Sequence, residues 1–193
     1  NKITASEAIN KSNVAQYVIA RESYDWELTN INGWGKVLAM SDAKVATDYK
    51  NQFLEDFPQN PNKIYGRALS VRTKIRNITL AYTDGRQNTP TGATVNYDRY
   101  LFDKSKGSLQ PLDRQMATMT FEYRPNLKMA EEYRYDNPLG FQVTNYQVET
   151  DNIAKPTMEL PSNFPIVSKD SLGPQKEEDA TSPQADLMAV SPR

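Results

Sequence analysis

The 193-residue sequence contains neither cysteine nor histidine. Without cysteine there is no disulfide bond, no thiolate nucleophile and no thiolate metal ligand. Without histidine the chain lacks the commonest general base and metal ligand, and the side chain that ordinarily titrates near neutral pH. A zinc site would have to be built from carboxylates alone. These absences remove the commonest catalytic and metal-binding side chains, and we predict no catalytic residues, no metal site and no cofactor.

Neither sign of charge is in excess, and long apolar runs are missing. The chain has 23 basic and 24 acidic residues, for a net charge of −1. A global basic surface for nucleic acid is therefore absent. No apolar run approaches the roughly 18 residues that a membrane span needs. Because the chain begins with Asn1 rather than Met, we interpret it as a piece of a longer protein, in which an upstream membrane anchor would not be visible.

Aromatic residues and prolines divide the chain into two parts. Residues 1–151 contain all eleven tyrosines, both tryptophans and five of the six phenylalanines. Residues 152–193 contain half of the twelve prolines and a single aromatic residue, Phe164. Such a segment buries too little apolar surface to offset its ordering entropy. We predict a domain over 1–151 and an extended or disordered proline-rich tail over 152–193, which is either a passive terminus or a strap that orders on a partner.

The first part of the domain has the periodicity of helices. Thr4 and Glu7 have capping-box spacing, and the residues that follow repeat on one helical face. That face comprises Val14, Tyr17, Val18, Arg21 and Tyr24. A second helix is suggested by Ile31, Trp34 and Leu38, although Gly33 and Gly35 weaken it, each by about 1 kcal/mol. Ser41 is the predicted cap of a third helix, whose apolar stripe is Val45, Tyr49 and Phe53.

From residue 68 onward the apolar residues alternate with period two, as in strands. Strands are predicted over 68–82, 93–102, 115–123 and 141–149, with a short helix over 127–134. In the first strand the apolar side shifts by one residue between Ile75 and Ile78, and in the last between Val143 and Tyr146. Such a shift indicates a β-bulge, which bends a sheet. The predicted fold class is therefore α+β, with N-terminal helices on a curved antiparallel sheet of about four strands, in the manner of a nuclear transport factor two-like cone.

The short helix and the last strand are joined by a run of turn-forming residues. Asn137, Pro138, Leu139 and Gly140 match the four positions of a type I turn. Pro138 disfavours helical geometry at Asn137, so the helix must end there. A rigid corner of this kind is a good docking point, because binding orders nothing new. We expect a domain carrying Asn137→Ala and Gly140→Val to fold and to lose its partners.

Two segments resemble one protein family. "YVIARESYDWE" (residues 17–27) is similar to the Tyr-Val-x-Ala-Arg-Glu-x-Tyr-Asp segment of the eighth component of VirB-type type IV secretion systems. "NPLGFQVTNYQVE" (residues 137–149) is similar to the Asn-Pro-x-Gly signature and final strand of that family. The resemblance covers roughly residues 1–151, and the tail has no counterpart in it.

The resemblance implies a non-enzymatic assembly factor at the periplasmic face of the bacterial inner membrane, anchored by a helix upstream of this chain. It implies protein–protein contacts with other secretion subunits during DNA or effector transfer, and a homodimer or higher homo-oligomer. The partner-binding residues would be Asn137, Pro138, Leu139 and Gly140. The self-association residues would be Tyr17, Arg21 and Tyr24.

Two other functions are left open by the residues alone. Some cones bury an Asp base beside a Tyr donor, so Asp98 with Tyr100 or Tyr123 could serve a small-molecule-binding or isomerase-like cone. Tyr97 and Asp98 are neighbours on a strand and should point to opposite faces. Arg72, Lys74 and Arg76 alternate on one strand face and could contact phosphate, but they are also ordinary for a solvated sheet face. We do not predict direct nucleic-acid binding.

Overall fold

The computed structural model describes residues 5–28, 34–82, 90–154, 156 and 157, which form helices followed by one antiparallel sheet. The helices are α1 (Ala5–Glu22), α2 (Trp26–Leu28), α3 (Trp34–Ala39), α4 (Ala43–Asn51), α5 (Pro61–Ile64) and α6 (Glu131–Asp136). The strands are β1 (Leu69–Ala81), β2 (Gly92–Asp103), β3 (Ser108–Tyr123) and β4 (Phe141–Asp151). The predicted α+β class and the order of helices before strands are confirmed. Thr4, Ile31 and Gly33 lie outside the described residues.

Helix α1 packs the predicted apolar face into the core. Val14, Tyr17 and Val18 are fully buried there. The helix ends at Glu22, so Tyr24 lies beyond it and pairs its backbone with Val71 of β1. The two backbone hydrogen bonds of that pair are 2.9 and 2.8 Å long. The end of α1 is thereby attached to the edge of the sheet.

The cap of α4 differs from the prediction. The side chain of Asp42 accepts a hydrogen bond from the Val45 N–H at 2.8 Å, so Asp42 is the N-cap and Ser41 is not. Ser41 is buried, and its hydroxyl donates to the Val37 carbonyl at 2.7 Å. Ser41 and Asp42 both have side chains that can cap a helix. Because the Ser41 side chain is buried and bonds to Val37, Asp42 is the residue that caps α4.

The sheet has the order β1-β2-β3-β4, with every neighbouring pair antiparallel. The β1–β2 register shifts between Ile75 and Asn77. The β3–β4 register shifts at Thr144, because the neighbours Thr120 and Phe121 pair with Asn145 and Val143 and leave that residue without a register partner on β3. Both predicted phase shifts are therefore real irregularities, and they let the long strands curve around the helices.

Strand β3 begins seven residues earlier than predicted. Asp103 pairs with Ser108, so β2 and β3 form one long hairpin. Pro111 lies within β3, beside a further register shift between Arg99 and Tyr100, which is where a proline is tolerated in a strand. The short helix also lies later than predicted, at Glu131–Asp136 instead of 127–134.

The core lies between the inner face of the sheet and helices α1, α3 and α4. It contains packed aromatic rings, including those of Phe121, Tyr123 and Phe141. Its fully buried members include Val14, Tyr17, Val18, Val37, Tyr49, Val95, Tyr97, Phe141 and Val143. Within the described ranges, no helix has the length and hydropathy to cross a membrane.

The chain turns back on the sheet after β4. The Asp151 carboxylate accepts the backbone N–H groups of Ile153 and Ala154. Pro156 is buried, and the Tyr100 hydroxyl donates to the Thr157 carbonyl at 3.3 Å. The first residues of the predicted tail thus contact β2, whereas residues 158–193 lie outside the described part of the chain.

Candidate functional site

The predicted corner between α6 and β4 is built around the side chain of Asn137. Its amide nitrogen donates to the Phe141 carbonyl at 2.9 Å, and its amide oxygen accepts the Phe141 N–H at 2.7 Å. The Gly140 N–H donates to the Asn137 carbonyl at 3.2 Å and closes the four-residue turn. The side chain therefore replaces a strand partner for the first residue of β4, which explains why Asn begins the turn.

Gly140 is required by both conformation and space. Its φ is +66°, a left-handed conformation that favours glycine. A Cβ at this position would overlap the carbonyl group of Arg124. The Arg124 N–H in turn donates to the Gly140 carbonyl at 2.8 Å. The corner is thus fixed against the end of β3.

Only part of the corner is available to a partner. Asn137 is 2% exposed and Gly140 is buried, whereas Pro138 and Leu139 are exposed, Leu139 to 47%. Asn137→Ala with Gly140→Val should therefore destabilise the domain, against the expectation above, because one change removes buried hydrogen bonds and the other clashes with backbone. The part of the corner that a partner could reach is its Pro138–Leu139 tip.

A groove beside this tip joins the corner to helix α1. It has a volume of about 400 Å³ and is lined by Ser6, Ile9, Asn10, Tyr123, Pro125 and Leu139. Ile9 and Leu139 are both about half exposed, at 48% and 47%. We call this set the corner groove. Exposed apolar side chains facing one concave surface are typical of protein contacts.

Tyr123 forms the floor of the corner groove and holds α1 to the sheet. Its hydroxyl donates to the Asn10 side chain at 2.6 Å and accepts from the Asn13 amide at 3.1 Å. Like any tyrosine, Tyr123 is a neutral donor at physiological pH, and burial raises the pKa of its hydroxyl further above the ordinary value. The groove therefore has a rigid floor between two separate elements of the fold.

The predicted self-association residues point into the domain. The Tyr17 hydroxyl contacts the Ser41 hydroxyl at 2.9 Å, and Arg21 donates to Tyr17 at 3.0 Å. Arg21 also stacks over the Tyr146 ring at 4.2 Å. The Tyr24 hydroxyl donates to the Gly66 carbonyl at 2.8 Å. These side chains position α1 on the sheet, and self-association through them stays a prediction.

Asp98, Tyr100 and Tyr123 are not brought together in one apolar pocket. Asp98 lies on the outer face of the sheet, where Arg76 and Arg114 contact its carboxylate at 3.2 and 2.9 Å. Tyr123 packs against the core on the inner face. Tyr97 points into the core, opposite to Asp98 as predicted, and its hydroxyl donates to Gln115 at 2.7 Å. Asp98 therefore has ion-pair partners in place of a proton-transfer site.

The basic alternation on β1 is partly occupied by neighbouring side chains. Arg76 pairs with Asp98, and Arg72 stacks on the Phe102 ring at 4.1 Å. Lys74 lies between them on the same face. Across the described ranges, no group of three or more acidic side chains could hold a metal ion.

Comparison with known proteins decides the family of the chain. The family model described as VirB8 protein matches residues 1–151. The chain belongs to the VirB8 family. VirB8 proteins are components of type IV secretion systems, and the helices-then-sheet fold agrees with solved VirB8 structures.

The VirB8 relatives come from several bacteria. The Brucella abortus type IV secretion system protein virB8 is 31% identical over 140 residues, which cover 70% of this chain and 53% of that protein. The Bordetella pertussis type IV secretion system protein PtlE is 28% identical over 148 residues, covering 77% of this chain and 59% of that protein. The structure of Agrobacterium tumefaciens VirB8 has a TM-score of 0.65 at 25% identity, covering 80% of this chain and 99% of that one. The chain thus spans just over half the length of these curated relatives.

The sequence did not reveal the α1 side of the corner groove. Ile9 lies outside the face that fills the core, so its exposure could be read from the helical period. Its proximity to Leu139, 130 residues later, depends on tertiary packing that no local pattern reports. The VirB8 signature located one side of the surface only.

Proposed function

We propose that this chain is the periplasmic domain of a VirB8-type inner-membrane scaffold, which contacts other secretion subunits during DNA or effector transfer and performs no catalysis. The observation that supports the proposal best is the corner groove, an apolar concavity beside the family's signature turn. The membrane anchor would lie upstream of α1. The small-molecule or isomerase alternative is not favoured, because Asp98 is occupied by two arginines.

The groove is suited to a protein partner for physical reasons. Its floor is held by Tyr123 and its rim by the Asn137 and Gly140 hydrogen bonds, so binding there would order little backbone. Ile9 and Leu139 together expose apolar surface on two elements, which a partner side chain could bury. A single large apolar or aromatic anchor would fit a cavity of about 400 Å³.

We further propose that copies of the domain pair through the outer surface of α1, with Tyr17, Arg21 and Tyr24 acting indirectly. All three make contacts within the domain that fix the position of α1. Their substitution would therefore shift an interface on α1, although none of them would touch the second copy. Ile19→Ser, at an exposed α1 position outside the corner groove, should then weaken pairing with no loss of stability. Tyr17→Phe should act only as far as it destabilises α1. Sedimentation of the purified chain, compared with its thermal unfolding, separates the two effects.

The docking proposal is tested with Leu139→Ser and Ile9→Ser in the full-length protein in intact cells. Both positions are exposed, so the domain should fold while transfer and recovery of secretion subunits fall by about tenfold, the loss expected when an apolar anchor is removed. Leu54→Ser is the matched control, because Leu54 is equally exposed at 52% and does not line the groove. Site-specific cross-linking at Leu139 would identify the subunit that is bound.

The proposal is wrong if both groove variants are folded and transfer at the wild-type rate, or if Leu54→Ser reduces transfer equally. Cross-links from Leu139 that reach no secretion subunit would also contradict it. Loss of transfer accompanied by loss of folding would show that Leu139 is structural, which its exposure does not predict.

A further inference from the structure

The outer edge of β4 is largely free of backbone partners. β4 pairs with β3 on one side along its whole length. On the other side, Val143 alone pairs with the segment before α4, through hydrogen bonds of 2.9 Å from Asp42 N–H and 2.8 Å to the Met40 carbonyl. Among the described residues, no backbone–backbone bond joins positions 145–151 to anything except β3.

The pairing pattern shows which backbone groups face this open edge. The backbone N–H and C=O of Val143 point away from β3, since both bond to the segment before α4. Its β3 partner, Phe121, likewise points away from β4 and donates its N–H to the Thr91 carbonyl. The next residue of β3, Thr120, must therefore face β4, where it pairs with Asn145. Alternation from that point turns the N–H and C=O groups of Tyr146, Val148 and Thr150 outward.

These three residues also line a groove on the inner side of the sheet. It has a volume of about 540 Å³ and lies between β4 and the segment that follows α4. Its lining is mixed, with apolar surface from Phe57 and Ile64 beside polar and charged side chains. The charged lining residues pair with one another, Arg99 with Asp113 and Arg21 with Glu22. An extended segment added to β4 would place every second side chain in this groove, because side chains alternate across a strand.

The open edge carries little of the usual protection against strand addition. Natural edge strands are commonly blocked by lysine, proline or a bulge. Between Asn145 and Asp151 the sequence has neither lysine nor proline, and the register with β3 is regular. The residues Asn145 and 147–151 are all exposed. Glu149 contributes an exposed negative charge on the outer face, whereas Asp151 is engaged by its own turn.

We propose that the Tyr146–Thr150 edge of β4 is a strand-addition site for an extended segment of a partner protein. The segment alternates apolar side chains, which enter the 540 Å³ groove, with polar ones, including a basic side chain opposite Glu149. Main-chain hydrogen bonds supply the affinity, and the groove and Glu149 supply the selectivity. The site is separate from the corner groove, so a test of one site does not decide the other.

A synthetic peptide with blocked ends, Thr-Val-Lys-Val-Lys-Phe-Thr, is the probe, and the full 193-residue chain labelled with ¹⁵N is the receptor. Binding should shift the amide signals of Tyr146, Val148 and Thr150. A peptide of the same composition without alternation should bind at least about tenfold more weakly, the change that about 1.4 kcal/mol produces. Glu149→Lys should weaken binding of the lysine peptide and favour the same peptide with glutamate in its place.

Val148→Pro removes one outward N–H and no bond to β3, so it should fold and lose binding by at least about tenfold. Val148→Thr is the matched control, because it keeps the N–H and the branched shape. Should Val148→Pro not fold, peptides N-methylated on alternate residues replace it. Methylation on one register of the peptide should abolish binding, and on the other should leave it unchanged.

Three results would overturn the proposal. One is binding to a folded Val148→Pro protein, or to both N-methylated peptides, with wild-type affinity. Another is a set of shifted amides that lies at the corner groove and not along β4. The third is a dimer of the unbound chain in which Tyr146, Val148 and Thr150 are protected and which Val148→Pro dissociates, since the edge would then be filled by a second copy.

Discussion

The side chain of Asn137 makes both of the backbone hydrogen bonds that Phe141 would otherwise lack at the start of β4. Asn137→Ala should leave a buried N–H and a buried C=O unpaired, at a cost of about 1–3 kcal/mol. Chemical denaturation of the purified chain measures this loss. Asn145→Ala, at an exposed position of the same strand, is the control and should change stability little. Equal stability of the two variants would contradict the structural role of Asn137.

Alanine substitutions at Gly140 and Gly107 can be compared to separate the cost of backbone strain from the cost of steric overlap. Both have a left-handed φ, +66° and +64°, but a Cβ at Gly107 would meet nothing within 4 Å. Gly107→Ala should therefore cost only the strain of the conformation, about 1–2 kcal/mol. Gly140→Ala should cost clearly more, because the Arg124 backbone must also move. Thermal unfolding of the two variants should rank them in this order, and the reverse order would refute it.

Stability should fall steeply at alkaline pH because of the buried tyrosines. Burial, followed by the nearby Glu22 carboxylate, raises the pKa of the Tyr97 hydroxyl far above its ordinary value. The unfolded chain releases this proton near pH 10 and the folded chain does not, so the stabilisation is complete below pH 10 and is lost as the pH rises above it. Each such tyrosine contributes a slope of about 1.4 kcal/mol per pH unit.

Tyr97→Phe should reduce that slope by one tyrosine's contribution, although it lowers stability at all pH values by removing the bond to Gln115. Urea midpoints between pH 9 and 11.5 measure the slope. Tyr135→Phe is the control for loss of a tyrosine hydroxyl at the surface, since that side chain is 77% exposed. An unaltered slope in the Tyr97 variant would mean that its hydroxyl ionises in the folded protein.

The Tyr123 hydroxyl should couple α1 to the sheet at the corner groove. Tyr123→Phe removes its bonds to Asn10 and Asn13 and should cost about 1 kcal/mol. Hydrogen exchange should accelerate in the first turns of α1 more than in β4. Tyr82→Phe, at an exposed position just after β1, should accelerate exchange in neither element. Uniform acceleration throughout the domain would argue against a local coupling.

The sequence predicted the order of elements and even the sheet's bends, because a strand's period of two makes any one-residue shift visible. The shifts near Ile75 and Val143 became the register irregularities of β1 and β4. Element ends were predicted less well. The choice of Asp42 over Ser41 as a cap depends on which side chain is buried, and the early start of β3 depends on the partner strand, so neither is a local property.

Site prediction was limited by the same distinction between pattern and packing. The repeat of Tyr17, Arg21 and Tyr24 identifies one helix face, but it does not say whether that face contacts the domain's own core or another subunit. The structure buries Tyr17 in the core, and it places Tyr24 beyond the helix, paired with Val71 of β1. Within the signature turn, Asn137 and Gly140 are inside and Pro138 and Leu139 outside, a division that depends on the end of β3 lying against the turn.

The contact between Tyr100 and Thr157 affects where the folding unit can be cut. A protein shortened at Asp151, the last residue of the sheet, would lose Pro156 and Thr157 and would expose a tyrosine ring that is 2% accessible in the intact chain. Recombinant versions that end at Asp151 should therefore aggregate more readily and unfold at a lower temperature than versions that retain six further residues.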